Sequence, residues 1–213
     1  MRKILILFWL LVPVAVAAYH YGPGQQQVAI DSVGATLREA ELLVAEGAEL
    51  VESQKQREAN AKYAEAIEKF DEAIQDLPEE KKREIQRIRL AKAKALFSSQ
   101  KNPTARKELE SLLDELTGEE RGQQDAELIA DTREALATSQ FYMTWLMRIE
   151  GHPREIWEPE AIRSRQNYQM LAENALKNGQ QEKAVKAKED LEASVRLALV
   201  ELDELQGLPL PSQ

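Results

Sequence analysis

The chain has 213 residues, room for one ordinary domain, with 37 acidic against 28 basic side chains and a net charge of −9. Ala, Glu, Leu, Lys and Arg make up more than half of it while Gly and Pro number only 9 and 8, a composition of long helices that excludes a sandwich or barrel of many short strands. With no cysteine there is no disulfide, thiolate nucleophile or zinc–cysteine site, and the acidic balance disfavours nucleic acid, which needs clustered cations.

Residues 1–24 have the layout of an export segment. Met1-Arg2-Lys3 is a short positive start, Ile4 to Ala18 is uncharged and apolar, and Ala15-Val16-Ala17 offers the small-x-small pattern of a cleavage site after Ala17 or Ala18. The alternative is an uncleaved anchor, since Ile4 to Tyr21 as a helix at about 1.5 Å per residue just spans the hydrocarbon layer. Either way Arg2 and Lys3 hold the start in the cytoplasm. The expected address is the periplasm or the outer face of the inner membrane of a bacterial envelope, with membrane contact only through an uncleaved leader.

Residues 25–207 read as one helical domain and 208–213 as a flexible tail. Ile30, Val33, Leu37, Ala40, Val44, Ala48 and Val51 recur at three and four, predicting a long first helix that Gly34 and Gly47 weaken. Tyr63, Ala66, Ile67, Phe70, Ala73, Ile74 and Leu77 form a second stripe, ended by Pro78. The third helix carries Ile85, Ile88, Ala91 and Ala95 on one face and Leu90, Ala93 and Phe97 on another, so it lies between two neighbours. Asn102-Pro103 opens a fourth that points Ala105, Leu109, Leu112 and Leu116 inward and stops at Gly118. A fifth is predicted from about Gln123 to Glu150, a sixth from Pro159 to Asn178-Gly179, and a seventh from about Gln181 to Gln206. The seventh has a Leu191, Val195, Ala198, Leu202, Leu205 seam. The expected fold is all-α, about seven antiparallel helices joined by short turns.

Within the second stripe, Tyr63, Ala66, Phe70, Ala73 and Pro78 fall at the spacing of a tetratricopeptide repeat, whose second helix this segment resembles. Ala105, Leu109, Leu112 and Leu113 repeat the small–large pattern further on, while Leu50, Ser53 and Gln54 stand where the first-helix signature would lie. The resemblance implies hairpins stacked as a short solenoid of the tetratricopeptide kind, without enzymatic activity, that holds a protein partner in a groove. It also places Arg87, Leu90 and Lys94 toward that groove.

Catalytic and metal-ligating patterns are missing. His20 lies at the leader boundary, and His152 stands among Glu150, Glu155, Glu158 and Glu160 without a second imidazole or helical ligand spacing. No Gly-rich phosphate loop or nucleophile elbow occurs, so neither a metal nor a cofactor is expected.

Two features stand out. Lys81, Lys82, Arg83, Arg87, Arg89, Lys92 and Lys94 make a cationic helix with Glu84 as its one acid. It either attracts an acidic peptide through Arg87, Leu90 and Lys94 or pairs within the chain with Asp71, Glu72, Asp76, Glu108 and Glu110. Further on, Tyr142, Trp145 and Arg148 share a helix face and belong to the types that dominate interfaces; they are either a partner-binding face or part of a core. A protein or acidic-peptide partner and a monomer or weak homodimer are expected. The competing reading is a bundle that self-associates through the Leu191–Leu205 seam.

Overall fold

The computed structural model describes residues 23–120, 124–201 and 205, with side chains from Ser32 onward; the predicted leader and most of the tail lie outside these residues. The described residues form α1 (Pro23–Glu52), α2 (Gln56–Asp76), a 3-10 turn (Glu79–Lys81), α3 (Lys82–Ser98), α4 (Asn102–Gly118), α5 (Ala126–Ile149), α6 (Arg154–Lys177) and α7 (Gln181–Leu199). They contain no strand, and none of their helices is long and apolar enough to cross a membrane.

Each helix packs on the next, and α3 also touches α5 while α5 touches α7. Helices α3, α5 and α7 therefore form one row, with α4 and α6 between them on the other side: a stack of antiparallel hairpins. One turn device recurs between helices. Gln54, Gln100, Gly151 and Gly179 take φ of 59°, 64°, 75° and 71°, and the next residue's N–H returns to a carbonyl five positions back: Lys55 to Leu50, Lys101 to Leu96, His152 to Met147 and Gln180 to Ala175. This is the Schellman closure, which satisfies orphan carbonyls and reverses the chain in a few residues.

The core is a series of small clusters, each shared by consecutive helices. Val33, Ala40, Ala66, Ile67, Phe70, Ala73, Ile88 and Ala95 make the first. Leu90, Ala93, Leu109, Leu112, Leu116, Leu128 and Leu136 make the second. Of the two apolar faces predicted for the third helix, Ile88, Ala91 and Ala95 enter the first cluster and Leu90 and Ala93 the second, as expected of a helix with neighbours on both sides, while Phe97 packs on the first cluster rather than with Leu90 and Ala93. The junction of α5, α6 and α7 is more polar: Thr132, Ser139, Gln140, Thr144, Ser164 and Ser194 are buried there. The Ser164 hydroxyl donates to the Ala137 carbonyl at 2.9 Å, and the Asn167 amide donates to Gln140 at 3.0 Å.

Several predicted boundaries and faces are corrected. The second helix starts at Gln56, well before its apolar stripe, so the supposed first-helix signature at Leu50, Ser53 and Gln54 falls on the end of α1 and its turn. The sixth helix begins at Arg154 and carries Pro159 inside it; within the first two turns a proline forgoes one N–H bond, and the helix tolerates the loss. In α1 the buried face runs through Val33, Ala40 and Gly47 while Ala48 and Val51 are exposed, so Gly47 is a packing contact. The last helix ends at Leu199, and its buried face is Ala184, Ala187, Asp190, Ala193, Ser194 and Leu197. The predicted seam is consequently broken: Leu191, Val195 and Ala198 are half-buried, Leu202 lies outside the described residues, and Leu205 is packed into the core against Phe141.

Candidate functional site

Six of the seven cations of the basic helix are engaged. Arg89 donates to Glu108 at 2.7 Å and to Glu115 at 2.6 Å, and Lys92 meets Asp71 at 2.5 Å. Lys82 and Arg83 reach Glu119 at 3.1 Å, and Lys81 meets Glu84 at 3.6 Å. Arg87 pairs at 3.1 Å with Asp125, whose carboxylate caps α5 by accepting from the Leu128 N–H at 3.0 Å. Gln86, 1% exposed, donates to both Glu115 and Glu119 at 2.9 Å. The cationic helix is therefore seated between acidic neighbours. Leu90, at 7% exposed, belongs to the second cluster; it points into packed side chains and offers nothing to a partner. Lys94 alone of the three predicted groove residues is exposed with no ion pair among the described residues.

This interface makes stability sensitive to acid. The Gln86 amide, then Lys82 and Arg83, hold the Glu119 carboxyl below the usual carboxylate range. For Glu115 burial pushes the other way, yet the Gln86 amide and the Arg89 guanidinium prevail and lower it. Asp125 is lowered by the Leu128 N–H and by Arg87. A carboxyl depressed in the folded state contributes stability above its unfolded value and loses it as pH falls through the folded one. The midpoint of thermal unfolding should accordingly hold from neutral pH to the ordinary carboxylate range and fall below it. Glu119→Gln should flatten that fall, and a profile identical to the parent's would dismiss the assignment.

The open surface lies along the row of α3, α5 and α7. A cavity of about 360 Å³ is lined by Lys94, Phe97 and Ser98 of α3, by Asp131, Glu134, Ala135 and Thr138 of α5, and by Lys186 of α7, with Leu109 of α4. A second, of about 710 Å³, shares Asp131, Glu134 and Lys186. It continues between the first halves of α5 and α7 over Tyr168, Leu171 and Asn174 of α6. Together they form one trough. Its charges alternate across the row: Lys94 on α3, Asp131 and Glu134 on α5, Lys183 and Lys186 on α7. Lys186 spans it to Glu134 at 2.8 Å, and that contact holds its ammonium above the ordinary lysine value.

The aromatic feature lies on the same face of α5. Asp131, Glu134, Thr138, Tyr142 and Trp145 follow one another at three and four, with Ala135 beside Glu134, and the Tyr142 ring meets the trough residue Phe97 edge-on at 5.1 Å. Tyr142 and Trp145 are half-buried and pack on the cluster of Phe141, Ala193, Leu197 and Leu205. Arg148 is already used: its guanidinium donates to the carbonyls of Leu197 and, at 2.6 Å, Val200, and it stacks 4.9 Å from the Trp157 ring. It caps α7, so in this state it is closed to an outside partner. Sequence reasoning missed Phe97, Asp131, Glu134 and Lys186 as site residues; the three-four recurrence on the fifth helix was the available signal for Asp131 and Glu134, while Phe97 on α3 and Lys186 on α7 are brought in by packing alone.

His152 is exposed and meets only Glu150, at 3.1 Å. Among the described residues no group of His, Asp and Glu is arranged to hold a metal ion. Comparison with known proteins finds no matching family model, curated protein or solved structure.

Proposed function

We propose that this chain is an exported scaffold, without enzymatic activity, that holds a segment of a protein partner in the trough along α3, α5 and α7. The observation that carries the reading is that three parallel-running helices, α3 and α5 of successive hairpins and the last helix α7, contribute side chains to one continuous hollow of alternating charge with an aromatic end. Such a surface recognises an extended or helical peptide through spaced polar contacts and an apolar anchor. The hairpin stack supports kinship with tetratricopeptide repeats, as do the small positions of the matched pattern, Ala66, Ala73 and Ala105, all fully buried. The leader motif in residues 1–24 supports export to the periplasm or the outer face of the inner membrane.

Ala135→Trp tests the reading, because Ala135 lines the hollow and is half-buried. The variant should keep its helical circular dichroism and unfolding midpoint while losing the partners that the parent chain captures from envelope extract; Gln166→Trp, on an exposed position of α6, should retain them. Equal capture by the parent and Ala135→Trp would refute the trough as the binding surface.

A further inference from the structure

We propose that the Tyr142–Trp145–Arg148 face of α5 is a docking site for an acidic peptide segment bearing a leucine, and that the chain's own Glu201 and Leu205 occupy it as a strap. α7 has already ended when this contact is made: Leu199 is its last residue and is 74% exposed. The chain nonetheless brings Leu205 to 1% exposure among Phe141, Ala193 and Leu197, with Tyr142, Trp145 and Val200 packed on the same cluster. Arg148 reaches the same stretch of chain, donating to the Leu197 and Val200 carbonyls with the Glu201 carboxylate in its field. An aromatic pair receives one leucine while a guanidinium holds the backbone that leads to it, which is how a groove takes a peptide.

Two further observations separate this contact from ordinary core. The receiving face is the continuation of the α5 stripe that is open along Asp131, Glu134 and Ala135, and the Phe97–Tyr142 ring contact at 5.1 Å joins the two parts. In sequence the stretch Glu201-Leu202-Asp203-Glu204-Leu205 is a leucine-bearing acidic segment, the chemistry that suits a site of two aromatic rings and a guanidinium. A strap tethered this closely competes at an effective concentration on the order of millimolar, so a partner displaces it only by adding contacts along the trough. Burying one leucine is worth roughly tenfold to a hundredfold in affinity, a range that permits such exchange. The part played by an outside partner rests on the trough reading above; occupation by the strap does not.

The probe is a fluorescein-labelled synthetic peptide with the sequence of residues 200–213, titrated into the full chain and into its Leu205→Asp and Leu205→Ala variants. Leu205→Asp should bind the peptide at least about tenfold more tightly than the parent, because the strap no longer competes, with Leu205→Ala between them. The peptide carrying Leu205→Asp should not bind, and adding Trp145→Ala to the Leu205→Asp chain should abolish binding with its helical circular dichroism retained. Equal affinity for parent and variants, or no binding to any of them, overturns the proposal. So does collapse of the helical signal in both variants, which would make Leu205 an ordinary core residue. Peptide binding that persists while Ala135→Trp still captures every partner would leave the strap standing and remove the trough reading alone.

Discussion

Gly47→Val is expected to destabilise the fold by about 3 kcal/mol, at the upper end of the overpacking range. A Cβ at Gly47 would stand 2.8, 3.0 and 3.1 Å from Cε1, Cζ and Cδ1 of Tyr63, closer than atoms in a packed interior approach. The ring has nowhere to go, since Tyr63 is 4% exposed. Valine therefore pushes α1 away from α2, the helix that packs on α3. Alanine sets two effects against each other, because glycine inside a helix is itself unfavourable by about 1 kcal/mol relative to alanine. Gly47→Ala should lower stability in the parent chain and raise it by about 1 kcal/mol in a Tyr63→Ala background. Urea unfolding of the four chains measures both signs, and a Gly47→Val variant as stable as the parent would remove the close contact from the account.

Charge reversal on the basic helix should divide sharply by position. Arg89 is 20% exposed and held between Glu108 and Glu115. Arg89→Glu leaves three carboxylates together at the α3–α4 interface and should destabilise by about 3 kcal/mol, near the lower bound for breaking a buried pair because the site is only partly buried. Lys94→Glu, five residues on, breaks no ion pair among the described residues and should stay within about 0.5 kcal/mol of the parent. It should still weaken capture of an acidic partner. Chemical unfolding beside a binding measurement reads both. Equal destabilisation by the two substitutions would mean that the cations act through net charge rather than through particular partners.

These two residues mark what was legible in the chain. The run Lys81–Lys94 announces a cationic helix, and two arrangements were open for it: a groove for an acidic peptide or pairing with adjacent acids. Pairing with Asp71 and Glu108 is what forms; Glu72 instead meets Lys69, and Glu110 meets Arg106. Arg87 and Arg89 are two positions apart, so they leave the helix about 200° apart and find different acids. Which acid each finds depends on how α4 is rotated against α3, a quantity no local spacing contains. The same holds for Tyr142, Trp145 and Arg148: their shared face could be read from the spacing, while the segment that covers it arrives from some fifty residues further along the chain.

By itself the sequence determined the helical character of the described residues, their division into seven successive helices and the two-sided packing of α3, because side-chain periodicity is set within one turn by a backbone that repeats every 3.6 residues. It also determined where most helices stop, since Pro78, Gly151 and Gly179 act on their own backbone. Only the tertiary structure decided that Gly47 is a contact, that Leu90 and Arg148 are withdrawn from the surface, and that Lys94, Phe97, Glu134 and Lys186 line one hollow. Those outcomes depend on the mutual rotation and distance of helices far apart in the chain, which are set by the packing of all their side chains at once.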